Sequence, residues 1–183
     1  MTMSTYNPDA EISRFNQSRS TDWIAVSAAL YEVVSAAQQI SRLTDGAFDI
    51  TSAPLVTLWG FGNAMARATP PADTAIRAAH ARTGYQKLAL QAEPPALRKS
   101  LATLEIDLSA IAKGYAVDRL GAILTGHGYR HWMVEIGGEV KSRGQNANDG
   151  PWQIAVARPG ALGTTVWGTL ALRDRAVASS GDY

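Results

Sequence analysis

The sequence predicts an α+β fold, because helical patterns come first, strand-like runs dominate from Lys87 onward, and glycine-bearing turns separate those runs. With 183 residues, 46% of them hydrophobic and 18% charged, the chain is long and apolar enough for one ordinary domain with a real core. Trp23, Val26, Leu30, Val33, Ala37 and Ile40 recur at intervals of three and four, which predicts a long amphipathic helix that packs on the core and ends at Gly46. The stretch from Phe48 to Gly62 is rich in glycine, proline and aromatics and reads as extended chain and loop. A shorter helix is expected from Asp73 to Arg82, after Pro70-Pro71 and before Gly84. Strands are expected at 87–90, 103–107, 131–136, 139–143, 152–157, 166–172 and 176–179, punctuated by Gly137-Gly138, Asn148-Asp149-Gly150 and Pro159-Gly160. No repeat, low-complexity tract or linker divides residues 1–183, so a single domain is expected.

Charge and composition exclude several classes of function. Seventeen Lys and Arg against sixteen Asp and Glu give a net charge of +1, and the basic residues are scattered without a run, so nothing asks for nucleic acid. No window approaches the ~18 uninterrupted apolar residues of a membrane helix, and the first residues lack the charged and apolar regions of a signal peptide. With no cysteine there is neither a disulfide framework nor a thiolate metal site, which suits either side of a bacterial inner membrane.

Residues 106–118 concentrate chemistry: Asp107, Ser109, Lys113 and Gly114 sit within an apolar stretch. Thr103 to Ile106 reads as a short strand, and from Ala116 the residues Val117, Leu120, Ile123 and Leu124 fall at helical spacing. Asp107 is thereby placed at a strand end, with Ser109 and Lys113 around a first helical turn whose free N–H groups and dipole favour an anion. The common nucleotide and hydrolase signatures are missing, including the glycine-rich phosphate loop, the dinucleotide fingerprint, the His-Glu-x-x-His helix and the nucleophile elbow. His80, His127 and His131 do not share a helical face, and surface or structural roles are expected for them.

Four polar clusters remain: Met3 to Asn16, Thr44 to Thr51, Ile106 to Asp118, and Val134 to Glu139. Singly, each has an ordinary explanation, respectively a capped turn, a helix end, a helix start and a hairpin bend. Taken together and in this order, with Pro54-Leu55-Val56 leading to Leu58-Trp59-Gly60-Phe61-Gly62 and with Ser180-Gly181-Asp182-Tyr183 at the end, they resemble the ApbE-like family of FAD:protein FMN transferases, or flavin transferases, across essentially the whole chain.

The resemblance implies an ApbE-like fold, a mixed, largely antiparallel sheet with packed helices. It implies an enzyme that cuts the FAD pyrophosphate, joins the FMN phosphate to a Thr or Ser hydroxyl of an acceptor flavoprotein and releases AMP, with Mg2+ as cofactor. On matching positions the family's FAD contacts fall on Tyr6, on Ala47, Phe48 and Asp49, and on Asp107 and Lys113, while a metal-holding position falls on Ala110. An alanine ligates only through its backbone carbonyl. The chemistry of these residues agrees in kind: Tyr6 and Phe48 offer flat rings, Asp49 and Asp107 accept hydrogen bonds, and Lys113 pairs with a phosphate. Trp59 and Phe61 are expected in the core, Gly137-Gly138 as a tight turn or a close approach to ligand, and Asp118 facing solvent.

Relative to the family, the chain is expected to lack an initial strand, together with a C-terminal part that carries a histidine-containing segment and an acidic, threonine-bearing stretch completing the metal site. A partial domain is thus expected. Alternatives to the transferase are a non-catalytic FAD-binding module and an FAD pyrophosphatase that yields FMN and AMP. The resemblance places the family on the periplasmic side of a bacterial inner membrane.

Overall fold

Ser27 decides where the long helix of the first half begins. Its hydroxyl accepts the Leu30 N–H at 3.2 Å and caps α2 (Ala28–Leu43), while its own N–H and Oγ are held by the Glu11 carboxylate, the Oγ at 2.7 Å. Trp23 and Val26, expected inside this helix, lie before it, because Ile24–Ala25 form a short strand, β1, instead. Leu30, Val33, Val34 and Ala37 bury the apolar face, and Gly46, at φ +81°, closes the helix by donating its N–H to Ser41 O at 2.8 Å.

A computed structural model of the chain describes residues 3–62, 64–65, 68–158 and 165–180. Its contacts divide into two compact units, Met1–Ile111 and Ala112–Tyr183. The first opens with α1 (Glu11–Gln17), a helix that periodicity did not announce, which buries Ile12 and Phe15.

Three further expectations for this unit are corrected. The segment 48–62 is not extended: a 3₁₀ turn at Ile50–Ser52 runs into α3 (Ala53–Leu58). Pro54 does not break α3, because it sits in the first turn, where its missing N–H would have no partner in any case. Beyond α3, Gly60 and Gly62 take positive φ of 81° and 67°, and this bend turns Trp59 and Phe61 outward, 43% and 55% exposed, so they do not belong to the core.

Residues 103–107 form no strand either. Leu104, Ile106 and Leu108 are buried in an extended segment, but Ile106 takes both of its backbone bonds from one side chain: Asn16 Nδ2 donates to Ile106 O at 2.9 Å, and Ile106 N–H donates to Asn16 Oδ1 at 2.9 Å. That amide stands where a neighbouring strand would. The sheet forms upstream, from β2 (Leu88–Gln91) and β3 (Ala96–Lys99), in the antiparallel order β1-β3-β2 with Ile24 opposite Leu97 and Leu88 opposite Lys99. The expected short helix is present as α4 (Asp73–His80).

The second unit starts with α5 (Ala112–Gly126), whose first turn holds Lys113 as expected, while Ser109 lies before it. The hairpin β4 (Trp132–Ile136) and β5 (Glu139–Arg143) is closed by Gly137 and Gly138 at φ 53° and 91°, a two-residue turn that requires positive φ at both positions. A Cβ on Gly121 of α5 would lie 2.4 Å from Trp132 Cη2, so only glycine lets the helix pack against this strand. β6 (Trp152–Ala157) pairs with β7 (Val166–Leu172), and β8 (Ala176–Val177), shorter than expected, pairs with β5. Every strand pairing among the described residues is antiparallel. Pro159-Gly160 and Gly181 to Tyr183, used in the sequence reading, lie outside the described residues.

Candidate functional site

A cavity of about 540 Å³ opens in the first unit, and all the described residues that line it belong to that unit. Tyr6, Ala47, Phe48, Asp49, Asp107 and Ala110 line it, so six of the seven positions nominated from the sequence meet around one space. Ile50, Ser52, Val56, Phe61, Gly62 and Ser109 complete the lining.

The corner at residues 47–49 is set by hydrogen bonds that follow α2. Phe48 N–H reaches Thr44 Oγ1 at 3.1 Å, and Ala47 N–H reaches Thr44 O at 3.0 Å. Asp49 then caps the 3₁₀ turn: its Oδ1 accepts from Thr51 N–H at 2.8 Å and Thr51 Oγ at 2.7 Å, and its Oδ2 accepts from Tyr85 N–H at 2.9 Å. Three of about four acceptor positions on this carboxylate are therefore taken by the protein. Asp49 shapes the wall first, and has little left for a ligand.

Asp107 is placed differently. Its N–H donates to Ile50 O at 2.7 Å, tying the extended segment to the 3₁₀ turn across the cavity floor. One carboxylate oxygen, Oδ1, accepts the Ser109 N–H at 2.7 Å and the Ser109 hydroxyl. Among the described residues nothing hydrogen-bonds Oδ2, which leaves an anionic acceptor beside the space. Tyr6, on the turn before α1, is 71% exposed and offers a ring at the cavity wall.

Lys113 belongs to the second unit, in the first turn of α5. Its ammonium donates to Gly137 O at 2.8 Å and pairs with Glu139 Oε2 at 2.6 Å, so within its own unit it is already neutralised. Asp118 faces solvent as expected and pairs with Lys141 at 2.6 Å. His131 accepts the Gln145 N–H on Nδ1 at 3.1 Å, a structural role.

Two lining residues were read otherwise from the sequence. Phe61 was expected in the core, and only the paired glycines around it hint that the chain turns it outward. Ser109 was expected in the first turn of a helix, whereas it lies before α5 and completes a turn with Asp107.

For a divalent metal, the turn from Asp107 to Ala110 offers oxygen donors only, a carboxylate, a hydroxyl and backbone carbonyls, which is the set that magnesium prefers. Among the described residues no group of three or more His, Cys, Asp or Glu gathers to hold an ion, and a magnesium ion at this turn would need water and phosphate oxygens to complete its shell.

The family model of the ApbE family matches residues 1–183. An FAD:protein FMN transferase from Vibrio cholerae is 41% identical over 181 residues, covering 99% of this chain and 54% of the relative. The solved structure of the flavin transferase ApbE from Vibrio cholerae is similar, with a TM-score of 0.87, 40% identity, and coverage of 99% of this chain and 58% of that one. The apbe protein from Thermotoga maritima gives a TM-score of 0.86 at 32% identity, covering 100% of this chain and 58% of that one. The chain thus spans about half the length of the curated relatives it matches.

Proposed function

This chain belongs to the ApbE family, and on that premise we propose that its first unit binds FAD as a substrate for FMN transfer to an acceptor flavoprotein. In this reading a Thr or Ser hydroxyl of the acceptor attacks the phosphorus of the FMN half, the bond to the AMP oxygen breaks, and the hydroxyl proton leaves as AMP departs. Such phosphoryl transfer depends on positioning and on charge stabilisation more than on covalent chemistry from the protein.

The observation that carries the reading is the convergence of Tyr6, Ala47, Phe48, Asp49, Asp107 and Ala110 on one cavity. Tyr6 and Phe48 present rings against which a flavin or adenine packs. Asp107 Oδ2 accepts from an N–H or hydroxyl of the ligand, and Asp49 keeps the 47–49 corner in shape. By family resemblance, Lys113 is the proposed phosphate partner. When bound, Mg2+ supplies charge neutralisation on the pyrophosphate, and Asp107, Ser109 and the Ala110 carbonyl are the residues of this chain to hold it. The proposed setting is the periplasmic side of a bacterial inner membrane, by family resemblance.

The test is incubation of the purified chain with FAD, Mg2+ and a candidate acceptor, with a full-length relative as control, read by in-gel flavin fluorescence. A fluorescent acceptor band supports transfer by this chain. Free FMN and AMP without a labelled acceptor would assign a pyrophosphatase, and FAD binding without AMP release a binding module.

A further inference from the structure

Lys99 is the one lysine that the first unit buries completely, with 0% of its surface exposed. It ends β3, and no carboxylate pairs with it among the described residues. Its ammonium instead donates to three backbone carbonyls, Ser18 O at 2.8 Å, Leu104 O at 3.0 Å and Asn16 O at 3.4 Å, and lies 4.7 Å from the centroid of the Phe15 ring. A buried cation held this way ties together the chain segments whose carbonyls it satisfies. The segments it draws together are the end of α1 and the start of the extended 104–108 run.

Those are the two segments joined by the Asn16 amide, which occupies both backbone groups of Ile106 at 2.9 Å. Asp107 follows directly, and its N–H is fixed on Ile50 O at 2.7 Å. Two hydrogen-bonded steps, from Lys99 to the Asn16 carbonyl and from the Asn16 amide to the Ile106 backbone, therefore lead to the residue that directly precedes Asp107 in the chain. We propose that Lys99 is a positioning residue for the nucleotide site, its internal ammonium setting the register of Asp107 through Asn16. This rests on the flavin reading only for the identity of the ligand; the mechanical link is a property of the chain.

Burial pushes the Lys99 pKa below 10.5, Arg19 adds to that shift, and Glu105 opposes it. These two are the charged groups that act on the ammonium. Neutral lysine has one N–H fewer, and the longest of the three bonds, to Asn16 O, is the first to go. Loss of the proton thus loosens the residue that clamps Ile106.

The experiment compares the wild-type chain with Lys99→Met and Asn16→Ala, using amide hydrogen exchange at Ile106 and Asp107 and FAD titration from pH 7 upward. Expected for Lys99→Met are faster exchange at both amides and FAD binding about tenfold weaker at neutral pH, the equivalent of one positioned hydrogen bond. Wild-type affinity falls in a step centred below pH 10.5, and that step disappears in the variant. Should Lys99→Met fail to fold, Asn16→Ala, which keeps the ammonium, carries the test: weaker FAD binding with fast Ile106 exchange supports the link, and wild-type values for both overturn it. A folded Lys99→Met with unchanged exchange and an unchanged pH step also overturns it. Absence of FAD binding by the wild-type chain would sink the flavin reading instead, while the exchange data still decide whether Lys99 sets Asp107.

Discussion

Asp49 and Asp107 both stand on the cavity wall, yet the protein uses them differently. Asp49 gives three acceptor positions to Thr51 and Tyr85, whereas Asp107 keeps Oδ2 clear among the described residues. Asp107→Ala is therefore expected to weaken FAD binding by about 2 kcal/mol, roughly thirtyfold in Kd, the scale of a hydrogen bond to a charged group. Asp118→Ala, on the exposed pair with Lys141, should leave the titration unchanged. Equal losses for the two would remove the reason for centring the site on Asp107. At Asp49 the expected loss falls on stability. Asp49→Asn keeps an acceptor for Thr51 but sets an NH₂ against the Tyr85 N–H, costing about 1–2 kcal/mol, and Asp49→Ala costs more, about 3 kcal/mol. Urea unfolding of the three proteins checks the order.

Among elements, α2 shows how one capping residue outweighs periodicity. Trp23 and Val26 fit the helical spacing, but Ser27 offers the backbone an N-cap and the residues before it are drawn into pairing with β3. Ser27→Ala is expected to lower stability by about 1–2 kcal/mol, with the loss enlarged because the Glu11 carboxylate forfeits its hydroxyl partner; thermal unfolding measures it, and a change below ~0.3 kcal/mol would contradict the cap's importance. The elements legible in the sequence, α2, α4, the β4–β5 hairpin and β6–β7, are those whose pattern is long or whose turn is marked by glycine. Those missed have physical reasons. α1 is too short for its period to stand out, α3 hides behind a proline that is harmless in a first turn, and β3 is four residues long. The supposed strand at 103–107 has a strand's composition, but its hydrogen-bond partner is a side chain ninety residues earlier, which no local pattern announces. The cavity-lining positions are nominated in the sequence by their place in the blocks that resemble the family; the hydrogen bonding among them, the outward turn of Phe61 and the pairing of Lys113 with Glu139 depend on the folded chain and have no local pattern.

For the chain as a whole, Lys99 leaves a signature in stability against pH. Its folded pKa is lowered from 10.5, so in the window between that lowered value and 10.5 the unfolded chain holds a proton that the folded chain does not. Unfolding free energy contributed by this group therefore rises with pH across the window, and is lost as pH falls through the folded value. Lys99→Met should flatten that rise in chemical-denaturation midpoints taken at successive alkaline pH values; an identical slope would mean that burial does not perturb this ammonium.

The extended run from Leu104 to Leu108 has one more consequence, for self-association. An apolar, strand-shaped stretch with open backbone groups is a template onto which another chain can add. Here Leu104 gives its N–H to Leu101 and its carbonyl to Lys99, Ile106 has both groups on Asn16, Asp107 gives its N–H to Ile50, and the Leu108 carbonyl takes Ile111. The stretch keeps the shape of a sheet edge, yet six of its ten backbone groups are committed within the fold, so an incoming strand would meet an interrupted ladder.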